Sequence, residues 1–371
     1  MKKVAIVYHY FAHYRKPIIH EIINFDNKNY DFKFFSDDTS NEPSLEVYNF
    51  NETKDKYSKV RNFWFGKWLW QKNLLKELRS FSPDVIIFLG QFNFLSTWIY
   101  AAYFKLLGKK VIFWGHGVYG NEQGIKKIIR NVFNSLPHTY MTYGDYAKEL
   151  MLKSSVRAKR ITPIYNSLDF DNQKNFYDKL HSTYSPLSNS FNIVFIGRLT
   201  KIKKIELLID ASIELLKMGY DLNIKIIGDG PMKENLINKV NNSNYSCNFN
   251  FIGPLYDELI ISSYLFKSHV CISPGNVGLT GMHSLAYGTP VITHDNFSKQ
   301  MPEFEAITDG FNGSFFKEDS CEDLVLKIKF WMGEYHVKDF FDIKKRSRKI
   351  ILDRYNPKNQ ASLIIKAIDC D

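Results

Sequence analysis

Short apolar runs that predict β-strands alternate with segments of helical periodicity in two successive series along the chain. The first series starts at residues 4–8 and the second at residues 193–196, with a polar stretch over residues 167–190 between them. Short strands that are apolar throughout are typical of parallel sheets with both faces covered by helices. The alternation therefore predicts an α/β protein with two Rossmann-like, doubly wound parallel-sheet domains that face a cleft.

The same pattern predicts the domain boundaries. We expect an N-terminal domain over residues 1–168, a linker over residues 169–190 and a C-terminal domain over residues 191–350. Residues 351–371 are expected to form a C-terminal helix that packs back toward the N-terminal domain. The linker is placed where Asn, Ser and Asp accumulate. Within the first series, residues 68–80 are interpreted as one helix.

Composition excludes several classes of protein. With 44% hydrophobic and 24% charged residues among 371, the chain is neither globally disordered nor fibrous. Its four cysteines lack the CxxC spacing of zinc sites and are too few for a disulfide framework. The net charge of +10 favours anionic partners. No apolar run reaches the ~18 residues that a spanning helix needs, so we expect a cytoplasmic protein, either free or peripheral at the inner face of the cell membrane.

The stretch from Gly197 to Lys204 combines a sharp turn with several cations. A predicted strand ends at Gly197, a helix is predicted to begin near Lys204, and Arg198, Lys201 and Lys203 lie between them. Basic side chains at the end of a strand and beside a helix N-terminus suit a phosphate or diphosphate. A solvated basic loop is the alternative interpretation.

Two further segments place glycines between a predicted strand and a predicted helix. Gly228 and Gly230 lie in one of them, and Gly275, Gly278 and Gly281 lie in the other. Small residues before a helix let backbone N–H groups approach an anion closely. The alternative is that these glycines only permit turns and close packing of helix on sheet.

A single histidine, His116, lies between glycines directly after a predicted strand of the first series. The flanking glycines predict an imidazole exposed to the cleft, where it suits proton transfer. A purely structural histidine is the alternative.

Together these segments resemble GT-B-fold glycosyltransferases of family 4, most strongly over residues 192–313. Four segments match motifs of that family in order and spacing: Gly197-Arg198-Leu199 with Lys203, residues 228–231, residues 285–292, and Glu305 with residues 309–313. The resemblance implies that Arg198 and Lys203 bind the diphosphate of a nucleotide-sugar donor. It also implies that His116 lies near the transferred sugar.

The chain departs from the family at two positions. The family carries two glutamates with seven residues between them, and Gly275 and His283 stand in their places here. His283 is expected to hydrogen-bond the donor ribose. The donor site implied by the resemblance further comprises the following residues: Gly197, Gly228, Gly230, Gly275, Asn276, Val277, Gly278, Leu279, Thr280, Glu303 and Glu305.

The implied reaction moves a sugar from a nucleotide-diphosphate sugar to a glycan or lipid-linked glycan, as in bacterial O-antigen or capsule assembly. Negative charge grows on the leaving diphosphate, and Arg198 and Lys203 are positioned to stabilise it. We expect neither a metal ion nor a cofactor, because these two cations would replace the metal that other glycosyltransferases use. The resemblance implies retention of anomeric configuration; if the enzyme inverts, His116 is the candidate base.

Aromatic and basic residues alternate between Trp64 and Arg79, and Lys126, Lys127 and Arg130 form a second basic face. Aromatics mixed with cations suit the headgroup region of an anionic membrane. An ordinary surface helix is the alternative for the first of these stretches.

Other functions are weighed against this one. A nicotinamide-dependent oxidoreductase needs Gly-x-Gly-x-x-Gly after its first strand, and residues 9–13 contain no glycine. A sugar-nucleotide epimerase of the same two-domain form remains an alternative, as does a non-catalytic nucleotide-sugar-binding protein. Basic residues are spread over both halves without a recognised nucleic-acid module, so no nucleic-acid partner is expected.

Overall fold

The computed structural model describes residues 1–25, 28–40, 46–118, 120, 122–186 and 190–370. Its strands in chain order are Lys2–Val7 (β1), Tyr30–Ser36 (β2), Tyr57–Lys59 (β3), Arg61–Phe65 (β4), Trp68–Lys72 (β5), Val85–Leu89 (β6), Lys110–Gly115 (β7), Thr139–Thr142 (β8), Arg160–Pro163 (β9), Phe191–Ile196 (β10), Leu222–Ile227 (β11), Phe249–Gly253 (β12), Val270–Ser273 (β13), Val291–His294 (β14) and Gly313–Phe316 (β15).

Its α-helices are Lys16–Asn24 (α1), Leu74–Phe81 (α2), Leu95–Leu106 (α3), Gly124–Asn134 (α4), Asp145–Leu152 (α5), Phe170–Thr183 (α6), Ile205–Lys217 (α7), Lys233–Asn241 (α8), Glu258–Lys267 (α9), Leu279–Ala286 (α10), Cys321–Val337 (α11), Phe340–Asp353 (α12) and Pro357–Asp369 (α13). Within the described ranges, none of these helices combines the length and apolar character needed to cross a bilayer.

The chain divides into two compact units. Met1–Asp169 with Asn356–Asp371 form the N-terminal unit, and Phe170–Tyr355 form the C-terminal unit. The first contains a seven-stranded parallel sheet of order β3-β2-β1-β6-β7-β8-β9. The second contains a six-stranded parallel sheet of order β12-β11-β10-β13-β14-β15. The predicted pair of doubly wound parallel-sheet domains is confirmed.

Strand β1 shows why the N-terminal sheet needs helices on both faces. Val4 and Ile6 point to a core that also contains Ile364 of α13, whereas Ala5 and Val7 point to the opposite core. All four side chains are buried, so neither face can be left to solvent. Helix α13, which ends the chain, therefore contributes to the core of the N-terminal unit.

The prediction of one helix over residues 68–80 is wrong in its first part. Residues 61–72 form the antiparallel hairpin β4–β5, in which Phe65 pairs with Trp68 across a tight turn at Gly66. Gly66 adopts φ +59°, which glycine tolerates at no steric cost. The aromatic residues alternate here with period two, and only α2, from Leu74 onward, follows helical periodicity.

The segment interpreted as a linker contains helix α6, which belongs to the C-terminal unit. Gln173 and Tyr177 are its buried residues, and the Tyr177 ring lies 5.4 Å from that of Phe266 on α9. So few apolar contacts leave most of the helix surface polar, which explains why its composition resembles that of a connecting segment. Residues 187–189, also in that segment, lie outside the described residues.

Candidate active site

Loops from neighbouring strands touch backbone to backbone at the carboxyl edge of the C-terminal sheet. A Cβ atom on Gly228, after β11, would lie 1.9 Å from the carbonyl oxygen of Gly197, after β10. A Cβ atom on Gly230 would lie 2.5 Å from the carbonyl oxygen of Leu199. Gly228 and Gly230 also adopt φ values of +142° and +155°. Glycine is required at both positions because the two loops leave no room for a side chain.

The loop after β13 packs equally closely against the loop after β10. The amide of Gly275 donates to the carbonyl oxygen of Lys203 at 3.0 Å. A Cβ atom on Gly275 would lie 2.0 Å from the carbonyl oxygen of Ile202. The backbone at Gly275 therefore has no space for a side chain, and a glutamate would not fit there unless the loops moved.

Lys203 joins the same two loops through its side chain. Its Nζ donates to the carbonyl oxygen of Asn276 at 2.6 Å. Burial lowers the pKa of the Lys203 ammonium, and the negative charge of Glu303 opposes that shift. The side-chain oxygen of Asn276 is buried and accepts no hydrogen bond from the described residues. An ammonium has three N–H donors, so Lys203 can hold this carbonyl and still bind an anion.

Arg198 differs from Lys203 in its surroundings. Its side chain is exposed and makes no hydrogen bond or ion pair within the part of the chain that the structure describes. Nearby Lys204 instead pairs with Glu318 at 2.8 Å and Asp319 at 2.7 Å. Of the cations predicted for this loop, Lys204 is thus engaged by carboxylates, whereas the guanidinium of Arg198 can meet a ligand.

Hydrogen bonds to neighbouring elements fix the segment that leads into α10. Thr280 donates through Oγ1 to the carbonyl oxygen of Ile196 at 3.1 Å. The amide of Val277, predicted to face the donor, donates instead to Oε1 of buried Gln300 at 2.8 Å. Gly278, with φ +52°, is the N-cap, and Leu279 is the first residue of the helix. Sequence reasoning missed Gln300, which carries no motif signal.

His283 on α10 lies beside a carboxylate that sequence reasoning also missed. Its Nε2 lies 2.8 Å from Oε1 of Glu258, the first residue of α9, and the hydroxyl of Tyr287 donates to the same oxygen at 2.5 Å. Burial alone would raise the pKa of this carboxyl, but hydrogen bonds from His283, Tyr287 and Gln173 hold it below its ordinary value. Helix α9 thus brings a negative charge to His283 on α10.

Glu303 and Glu305 lie on the short 3-10 helix Pro302–Ala306, between β14 and β15. Glu303 is buried, and its charge acts on the Lys203 ammonium as described above. Glu305 is partly buried. Glu303 is therefore electrostatically linked to Lys203, one of the predicted phosphate-binding cations.

His116 follows β7 in the N-terminal unit. Burial and the positive charge of Arg15 lower the pKa of His116 to about 4. The imidazole is consequently neutral near pH 7 and able to accept a proton. Its ring centre lies 4.9 Å from that of Tyr143.

In the C-terminal sheet, β11 and β12 lie on one side of β10, and β13 to β15 lie on the other. The loops after β10 and β13 therefore lie at a topological switch point, where open α/β sheets bind ligands. Solved structures resemble the chain over nearly its whole length, among them the following two. The lipopolysaccharide outer core galactosyltransferase WaaB has 18% identity and a TM-score of 0.71, with 99% of each chain covered. HepE of Anabaena, solved in complex with UDP, has 13% identity and a TM-score of 0.70, again with 99% of each chain covered. The fold is that of GT-B glycosyltransferases.

Sequence comparison finds a family match for part of the chain. Residues 179–350 match the model of the family Glycosyl transferases group 1. An uncharacterized glycosyltransferase of Methanocaldococcus jannaschii is 26% identical in an alignment 238 positions long, which covers 57% of this chain and 63% of that protein. The match thus spans less than two thirds of the length of that relative.

Proposed function

We propose that this chain transfers a sugar from a nucleotide-diphosphate sugar to a glycan or lipid-linked glycan acceptor. The observation that carries the proposal is the contact of the loops after β10 and β13, with Lys203 bonded across it and Arg198 exposed beside it. The similar fold of HepE, solved with UDP, supports a nucleotide-sugar donor. WaaB, named for the lipopolysaccharide outer core, supports an acceptor in bacterial surface polysaccharide assembly.

The proposed chemistry breaks the bond between the anomeric carbon of the sugar and a phosphate oxygen. The bonding electrons remain on the leaving diphosphate, where Arg198, Lys203 and amides near Gly278 stabilise the growing charge. In a retaining reaction, the leaving phosphate oxygen accepts the proton of the acceptor hydroxyl as the new glycosidic bond forms on the same face. In an inverting reaction, neutral His116 accepts that proton.

A donor panel tests the function. The purified chain is incubated with UDP-, GDP- and TDP-sugars, and thermal shift identifies the donor, because a ligand at 100 times its Kd stabilises by about 2.7 kcal/mol. Release of nucleoside diphosphate that depends on an added acceptor supports transfer. A changed sugar nucleotide without acceptor indicates an epimerase, and binding without turnover on any acceptor indicates a binding protein.

We further propose that transfer needs no metal ion. Within the described ranges, no three or more His, Cys, Asp and Glu side chains are grouped so as to hold one. The cations Arg198 and Lys203 would supply the charge that a metal ion supplies elsewhere. Turnover should survive EDTA, and abolition by chelator with recovery on adding a divalent ion would refute the proposal.

Glu258 is proposed to orient His283 toward the donor ribose. Glu258→Gln removes the charge that holds the imidazole and should raise the donor KM about tenfold, with a smaller change in kcat. Glu234→Gln, an exposed glutamate on α8, is the matched control and should leave both constants unchanged. A tenfold fall in kcat of Glu258→Gln with an unchanged KM would contradict a ribose-binding role.

Membrane attachment is proposed for the N-terminal unit, on a surface that differs from the predicted stripe. In that stripe Leu69, Leu74 and Leu78 are buried, so its apolar residues partly serve the core. Helix α4 instead exposes Ile125 by 73% and Ile128 by 63%, and the exposed Lys126 and Lys127 lie between them in the chain. An apolar helix face beside cations suits an anionic bilayer surface.

Ile128→Asp should lower the fraction of protein that sediments with anionic vesicles about tenfold, because it removes an apolar contact and adds like charge. The control is Leu326→Asp on α11, since Leu326 is similarly exposed, by 60%, in the C-terminal unit. Indifference of the wild-type protein to anionic lipid would argue against attachment through this helix.

A further inference from the structure

A second polar centre lies in the N-terminal unit, at the carboxyl ends of β1, β7 and β8. The guanidinium carbon of Arg15, which directly precedes α1, lies 5.1 Å from the ring centre of Tyr8 and 5.2 Å from that of Trp114. Tyr14 and Tyr143 are each 5.8 Å away. These aromatic rings surround a side chain that keeps its positive charge at every physiological pH.

Two buried N–H donors of this centre lack an acceptor within the part of the chain that the structure describes. Nη2 of Arg15 donates to the hydroxyl of Tyr143 at 2.6 Å. Nη1 of Arg15 and Nε1 of Trp114 are both buried and find no acceptor among the described residues. No carboxylate of these residues forms an ion pair with Arg15. Guanidinium and indole groups can only donate, so the centre needs an acceptor, and beside a fixed cation an anion suits best.

The neighbouring histidines do not compete with Arg15 for such an anion. Burial, together with the charge of Arg15, lowers the pKa of His9 to about 4 and that of His116 likewise to about 4. Both imidazoles are therefore neutral near pH 7, and Arg15 is the cation of this centre. His116 contacts the ring of Tyr143, the same residue that accepts from Arg15.

We propose that Arg15 binds an oxyanion, a phosphate or a carboxylate, carried by the acceptor of the transfer reaction. The planar guanidinium presents paired N–H groups that match either oxyanion. Because the centre adjoins His116, an acceptor held there through its charged group would bring its hydroxyl near the proposed transfer site. The assignment of the anion to the acceptor rests on the proposed function; the binding of an oxyanion by Arg15 does not.

The test titrates the intact chain with inorganic phosphate and, separately, with acetate by calorimetry, with ionic strength held constant by chloride. Arg15→Met fills the space among the rings without donating and should raise the Kd about tenfold or more. Arg15→Lys keeps the charge but loses the paired donors, and a smaller rise is expected. The control is Lys16→Met, which removes an exposed neighbouring cation and should bind as the wild type does.

Arg198→Ala separates this centre from the proposed diphosphate site. Binding that survives in Arg198→Ala and weakens in Arg15→Met supports the proposal, and preference for phosphate or acetate identifies the class of oxyanion. The proposal is overturned if the wild type binds neither anion, or if both Arg15 variants bind as the wild type does. If circular dichroism shows that Arg15→Met does not fold, the Kd measured for Arg15→Lys decides whether Arg15 binds the anion. Failure of the proposed function would appear separately, as absence of nucleotide binding in the donor panel.

Discussion

Arg198→Ala is expected to lower kcat by a factor on the order of 10² to 10³, as loss of one charge-stabilising donor does in other enzymes. The side chain is exposed and makes no bond within the described part of the chain, so its removal should leave thermal stability unchanged. Its expected contribution arises when the leaving diphosphate gains charge. The measurement is nucleoside diphosphate release at saturating donor, with Tm determined in parallel.

Lys201→Ala is the matched control for this prediction. Lys201 is an exposed cation in the same loop, three residues further on, and forms no side-chain bond within the described residues. It lies outside the motif, so its loss should change kcat less than about twofold. If the two variants lose activity equally, the effect comes from the general charge of the loop, and the specific role of Arg198 is rejected.

Gly275→Ala is expected to lower the free energy of unfolding by about 3 kcal/mol, because the added methyl group would overlap the backbone at Ile202. A flexible side chain could move aside, but a carbonyl oxygen 2.0 Å away belongs to the loop that positions Lys203. We therefore expect activity to fall together with stability. Urea denaturation at neutral pH measures the first effect, and nucleoside diphosphate release measures the second.

Gly333→Ala provides the control, since a Cβ atom on Gly333 in helix α11 would meet nothing within 4 Å. There alanine should stabilise by about 0.5–1 kcal/mol through its higher helix propensity. A Gly275→Ala protein as stable as wild type would mean that the loops after β10 and β13 do not pack as described. By the same packing argument, Gly275→Glu should not supply the carboxylate that the family carries there.

The C-terminal unit was largely predictable because its signals are local. A strand, a glycine turn and a helix start follow one another within a few residues around Gly197 and around Gly228, and the structure has β10, β11, α7 and α8 in those places. The hairpin β4–β5 and helix α6 were not predicted. In both, the local pattern of aromatic or polar residues fits more than one element, and packing against the rest of the unit selects one of them.

The sequence by itself determined the two parallel sheets, the glycines at their strand ends and the cations after β10, since each depends on residues close together in the chain. Only the tertiary structure decided three contacts. Glu258 hydrogen-bonds His283, Gln300 accepts a hydrogen bond from the amide of Val277, and Arg15 lies among aromatic rings. Each of these pairings joins different elements of one unit. Which side chains meet across such distances depends on how helices pack on the sheet, and no local periodicity encodes it.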